Sequence, residues 1–196
     1  MKRSRTSAYD MTIGAMFVAL MAVGANITAV APFLSIMNVP LTLQTFFAIL
    51  AGIVLGSRLG GFAIFVYAAL GIVGAPVFAE FSGGVSTIIS PTFGFVLSFI
   101  VLAFIVGKIV ENNRRFSMYM TASIIGVIIN YFIGVNGMYA ALNFWMGEGA
   151  GISYALAWTS MMPFLIKDFA LALLAGAFAY RLEKGILHRT PLRQAV

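Results

Sequence analysis

The chain has 196 residues, 61% of them apolar and only 9% charged, and its mean hydropathy is +1.00. That composition excludes a soluble domain and points to a single compact integral membrane domain. The formal charge of +6 falls in short clusters between apolar runs, which excludes a nucleic-acid surface, and the absence of cysteine excludes disulfide and thiolate chemistry.

Six apolar segments are predicted in chain order, at about 10–31, 41–57, 59–79, 91–110, 116–137 and 153–181. Each has about the length a tilted spanning helix needs. The basic start Met1-Lys2-Arg3-Ser4-Arg5 resembles a signal peptide, but no small-residue cleavage site ends the apolar run, so it is read as a retained first helix. The cut between the second and third segments rests on Gly56, Arg58, Gly60 and Gly61. The last segment is longer than the others and is expected to break near Pro163.

Six crossings put eleven of the twelve Lys and Arg on one side. The opposite loops, Pro32 to Pro40, Glu80 to Ser90 and Met138 to Ile152, contain none. The positive-inside rule then places both termini in the cytoplasm. The fold class expected is an all-α integral membrane protein with six transmembrane helices, forming one transmembrane substrate-binding domain over 1–196.

The twelfth cation is Lys167, which lies beside Asp168 inside the sixth segment. Asp168 is thirteen residues before Arg181, or roughly 20 Å of helix, which sets it in the outer half of the hydrocarbon layer. An ionisable group there costs a few kcal/mol and is by default a functional site facing the protein interior; structural pairing with other polar groups is the alternative. Adjacent helical residues point about 100° apart, so the two charges are not expected to face each other, and at least one looks elsewhere. Gln44, Asn130, Asn136, Tyr139 and Asn143 reach the same outer half. The expected pocket opens outward between the fourth, fifth and sixth helices, roofed by the first and third outward loops.

Other patterns carry less. Gly52-xxx-Gly56-xxx-Gly60 and Ala15-xxx-Ala19 let helices approach closely; for Ala15 and Ala19, internal packing and partner docking are equally open. Trp145 and Trp158 suit interfacial anchoring, and His188 alone makes no metal site. There is no G-x-x-x-x-G-K-[ST], GxSxG or HExxH, so the chain has no phosphate cradle of its own. The outer polar groups suit a small head group of the ureido or amide kind, donating N–H to a carboxylate and accepting from Asn or Lys.

The blocks Val39-Pro40-Leu41-Thr42-Leu43-Gln44-Thr45-Phe46-Phe47, Leu55-Gly56-Ser57-Arg58-Leu59-Gly60, Gly74-Ala75-Pro76-Val77-Phe78-Ala79, Gly83-Gly84 and Ser90-Pro91-Thr92-Phe93-Gly94-Phe95, with Pro163-Phe164 ahead of Asp168, closely resemble the biotin transporter family BioY. The resemblance covers nearly the whole chain. It implies a substrate-binding S component of an energy-coupling factor transporter in the bacterial cell membrane. Biotin would be the transported ligand, with no cofactor and no enzyme activity in this chain. Power would come from a coupling transmembrane subunit and two ATPase subunits that use the ATP.

The same resemblance implies that Asp168 accepts from the ureido ring, with Gln44 and Asn130 or Tyr139 completing the polar set. Phe78 and the Gly83-Gly84 loop would surround the thiophane ring and valeryl chain, and Ala15 and Ala19 would dock on the coupling subunit. The chain departs from the family at Lys167, where glycine is common, and at Leu171, where relatives carry lysine; which cation meets the biotin carboxylate is left open, with Lys167 a candidate. An S component for another small vitamin, and a small intramembrane enzyme using Lys167 and Asp168, are the alternatives.

Overall fold

The computed structural model describes residues 7–30, 35–36, 39–147 and 149–185. Helix α1 (Ala8–Ala25) starts on a capping box. Ser7 Oγ accepts from the Asp10 N–H at 3.3 Å while Asp10 Oδ2 accepts from the Ser7 N–H at 2.9 Å, which satisfies two of the free donors at a helix start. At its far end the helix stops at Asn26, and a single turn, α2 (Ile27–Val30), follows. A two-residue antiparallel ladder, β1 (Ser35–Ile36) with β2 (Val39–Pro40), leads into α3 (Gln44–Leu55). Then come α4 (Ser57–Val73), two 3₁₀ turns at Ala79–Phe81 and Val85–Ile89, α5 (Phe93–Asn112), α6 (Phe116–Ala140) and α7 (Tyr154–Gly185). The end of α6 widens into a π turn over Ala141–Trp145.

Four of these helices are long and apolar enough to cross a membrane: Ala8–Ala25, Phe93–Asn112, Phe116–Trp145 and Tyr154–Gly185. The helices α3 and α4 have 12 and 17 residues. The polar residues Gln44 and Thr45 begin α3 directly, and the Gly74-Ala75-Pro76 run ends α4 early. The first outward loop, Pro32 to Pro40, which was expected to roof the pocket, lies largely outside the described residues, as do Asn38, Glu148 and His188.

Two expectations are corrected. First, α7 does not break at Pro163; it runs as one helix of 32 residues. Proline removes one N–H from the ladder, but the packed stripe Ala157, Phe164, Asp168, Ala172, Ala175 and Ala179 continues on the same face through it. Packing against neighbouring helices lets such a span continue through a proline that would break an isolated peptide helix. Second, Lys167 and Asp168 do face each other, as described below.

The core is a bundle in which α5 lies between α3, α4 and α6, with α7 packed on α6 and α3. Small residues set its tightness. A Cβ on Gly52 would overlap the Ala103 carbonyl of α5. Farther along α5, Gly94 and Gly137 of α6 meet backbone to backbone, a Cβ on Gly94 coming within 2.9 Å of the Gly137 Cα. Close backbone approach of this kind drives helix association where lipid supplies no hydrophobic force.

One end of the bundle carries polar locks. Ser57 N–H and Oγ donate to the Glu111 carboxylate at 2.7 to 3.1 Å, and Arg114 Nη1 lies 2.8 Å from Glu183 Oε1. At the other end Asn26 clamps the loop after α4. Its Oδ1 accepts from the Phe81 N–H at 2.7 Å, and Leu43 N–H donates to the Gly24 carbonyl beside it at 2.8 Å. Gly52→Leu is expected to drive α3 and α5 apart and to lower the midpoint of thermal unfolding in detergent by several degrees. A surface substitution such as Phe62→Leu on the exposed face of α4 should leave the midpoint unchanged in the same assay.

Candidate functional site

A cavity of about 470 Å³ opens among α5, α6 and α7 at the end where Asn26 holds the loop. The start of α3 supplies Thr42, Gln44 and Thr45, and the loop after α4 supplies Phe78 to Glu80, Ser82 and Thr87. From α5, α6 and α7 come Phe95 and Phe99, Asn130 and Tyr131, and Phe164, Lys167 and Asp168. The position between the three last helices matches the expectation. Of the expected roof, the first loop lies largely outside the described residues; among the described residues the loop between α4 and α5 lines the cavity, while the third loop contributes only Met138 at its border. The reason is the length of α6, which continues past the predicted end at Gly137 and carries Asn143 away to bond the Tyr139 and Ile152 carbonyls.

At the closed end sits Asp168, 6% exposed. Tyr131 Oη donates to its Oδ2 at 2.9 Å. Lys167 Nζ comes within 2.8 Å of Oδ1 and donates to the Thr42 carbonyl at 2.7 Å. The flexible four-carbon stem of lysine bridges the 100° between adjacent side chains, so the ion pair forms in spite of the helical angle. Its alignment is poor, however, and the buried Oδ1 has no hydrogen-bond donor. Across the cavity Asn130 is 1% exposed; its Oδ1 accepts from Ser98 Oγ, while its Nδ2 is buried without a partner. The cavity is therefore lined by an acceptor held only by the adjacent ammonium and by a donor with no partner. Buried polar atoms are nearly always paired in native proteins, so these two are set for a ligand carrying N–H and C=O groups together.

Gln44 and Phe78 reach the cavity by a shared network. Gln44 Nε2 donates to Tyr67 Oη at 3.0 Å, and Tyr67 Oη donates to the Val77 carbonyl at 3.0 Å. The Phe78 ring packs edge-on against Tyr67 with centroids 5.5 Å apart. The pocket side of the loop is thus fixed from α3 and α4 at once.

Of the other residues expected at the site, Gly83, Gly84 and Tyr139 lie off the lining. Gly83 packs against the Ala75 carbonyl, where no Cβ fits, and Gly84 takes φ +99°; they shape the loop from behind. Tyr139 stacks edge-on with Tyr154 at 5.5 Å. Ala15 and Ala19 are exposed on α1, on the face away from the buried Gly14, Phe17, Met21 and Gly24.

Sequence reasoning missed Tyr131, Tyr67, Ser98 and Asn26. Ser98 is an isolated hydroxyl in the apolar middle of α5 and Tyr131 directly follows Asn130, and those placements are the available signal. Asn26 gave none, because its partners in the loop after α4 lie more than 50 positions away.

The BioY family model matches residues 1–188. Among the relatives, the Bacillus subtilis protein BioYB is 44% identical over 188 residues, covering 95% of this chain and 93% of its own. The biotin transporter BioY of Thermotoga maritima is 36% identical over 169 residues, covering 86% and 92%. A crystal structure of the S-component for biotin from an ECF-type ABC transporter superposes with a TM-score of 0.67 at 20% identity, covering 92% of this chain and 95% of that one. At that identity it speaks for the fold alone. With a family model spanning nearly the full length and relatives well above 30% identity over most of it, this chain belongs to the BioY family.

Proposed function

We propose that this chain is the biotin-binding membrane subunit of an energy-coupling factor transporter, taking biotin into the cell with partners that supply the ATP hydrolysis. The observation that carries the reading is a pair of buried polar atoms on the cavity lining, Asp168 Oδ1, met only by the Lys167 ammonium, and Asn130 Nδ2, which has no partner. A ureido ring presents N–H donors on either side of one carbonyl acceptor, and it satisfies both atoms at once. Charge-assisted hydrogen bonds to a buried carboxylate are among the stronger ones available, at about 1.5–3 kcal/mol each. Phe78, Phe95, Phe99 and Phe164 supply the apolar wall for the sulfur ring and the methylene tail, the usual division of labour in a small-molecule pocket. Gln44 holds the wall in place through Tyr67, and the Lys167 ammonium lies 2.8 Å from Asp168 Oδ1.

The topology that goes with this reading has six crossings and both termini in the cytoplasm. Arg58, Lys108, Arg114, Arg115, Arg181 and Lys184 fall at or near the end locked by Ser57–Glu111 and Arg114–Glu183, away from the cavity mouth, which agrees with a positive-inside orientation. The exposed small residues Ala15 and Ala19 on α1 are the proposed contact for a coupling transmembrane subunit, itself joined to two ATPase subunits.

Purified protein is expected to bind biotin stoichiometrically, and Asp168→Ala is expected to abolish retention of radiolabelled biotin while the protein still inserts and folds. Equal binding by the two forms would sink the assignment of Asp168. Gly83→Trp should weaken binding at least tenfold, because any side chain there must displace the Ala75 carbonyl and with it the loop over the cavity; a titration with labelled biotin measures this. Ala15→Trp should leave biotin binding intact and stop uptake by whole cells, since a large ring on that stripe blocks close helix approach. Normal uptake by that variant would remove α1 from the docking surface.

A further inference from the structure

A biotin molecule has two polar ends, and the charges around this cavity serve only one of them. Lys167 is the only Lys or Arg among the described residues that lines the cavity, and it is already committed to Asp168 Oδ1 and the Thr42 carbonyl. At the mouth stands Glu80, exposed and lining the opening. The charges facing the ligand therefore sum to one negative, with the single cation held at the closed end beside the acid. If the ureido ring occupies Asp168, the tail carboxylate lies a chain of methylenes away and beyond reach of a Lys167 ammonium that is 2.8 Å from that same acid.

The hydroxyls near the opening do not replace a cation. Ser82 Oγ and Thr87 Oγ1 donate to the carbonyls of Ala79 and Gly84 at 2.7 and 2.6 Å. The Ser90 and Thr92 hydroxyls bond to each other at 2.8 Å, which leaves that pair one free proton. A carboxylate placed here faces Glu80 and remains in water, where its charge is well solvated and contributes little to affinity.

Resting on the biotin reading above, we infer that this cavity recognises the ring end of the ligand and, among the described residues, offers no cation for the charge of the tail, so that biotin derivatives with an uncharged tail bind as well as the acid.

The test is displacement of radiolabelled biotin from the full-length purified protein by unlabelled biotin and by biotinamide. Biotinamide is expected to compete within about fivefold of biotin, and raising the salt should change neither value by more than a similar margin. A larger loss with biotinamide, in protein that binds biotin tightly, would overturn the inference and leave the transporter reading standing. In Lys167→Gln both ligands should weaken by the same factor, because the lysine acts on the ring end through Asp168; a loss confined to biotin would assign Lys167 to the tail and overturn the inference as well. Failure of the wild-type protein to bind biotin at all would instead refute the functional reading, and the inference with it.

Discussion

The structure depends on keeping one carboxylate charged inside an apolar bundle. An isolated carboxylate at this depth costs at least about 3 kcal/mol, and the fold offsets that cost locally. Lys167 supplies charge from the adjacent position, and Tyr131 supplies a hydrogen bond from the neighbouring helix. Neither partner saturates the acid. Full pairing would make the group a structural ion pair; here the carboxylate meets one ammonium and one hydroxyl and still lines the cavity.

That compromise requires helices that pack closely. Asn130 and Asp168 confront each other across the cavity only because α5, α6 and α7 converge, and α5 and α6 converge because Gly94 and Gly137 meet without side chains. Away from the cavity the same economy recurs at Gly52 against Ala103. Glycine costs conformational entropy in a water-exposed helix, but in lipid the gain in backbone contact outweighs it. At the mouth the constraint is different. Glu80 and Phe81 both take left-handed backbone angles, φ +60° and +53°, a strain of about 1–3 kcal/mol each in non-glycine residues. The Asn26 carbonyl oxygen bonded to Phe81 N–H helps to hold that turn, and so ties the cavity cover to α1, the same helix that exposes Ala15 and Ala19.

Much of this was legible in the chain. The hydropathy pattern located the helices to within a few residues, because burial in lipid demands long uninterrupted apolar runs. The acid in the middle of the last apolar segment stood out because charge is so costly there. The VPLTLQT and GAPVFA blocks with their spacing carried the family. Errors arose where a neighbour overrides a local rule. Proline breaks isolated helices, yet α7 continues through Pro163 with its buried stripe unbroken from Ala157 to Ala179. The 100° rule separates Cβ vectors, yet a lysine stem is long enough to fold back. Gly83, Gly84 and Tyr139 stand near the cavity in sequence terms, but the first two support the loop from behind and the third packs on Tyr154.

By itself, then, the sequence determined that this is a helical membrane domain of the BioY kind with an acid buried on its last helix, because hydrophobic length and the cost of a buried charge are properties of single segments. Only the tertiary structure decided what that acid meets. The Tyr131 hydrogen bond, the unpaired Asn130 amide, the Asn26 clamp and the covering loop all join residues distant in the chain, and such contacts follow from how helices pack rather than from the order of residues along any one of them.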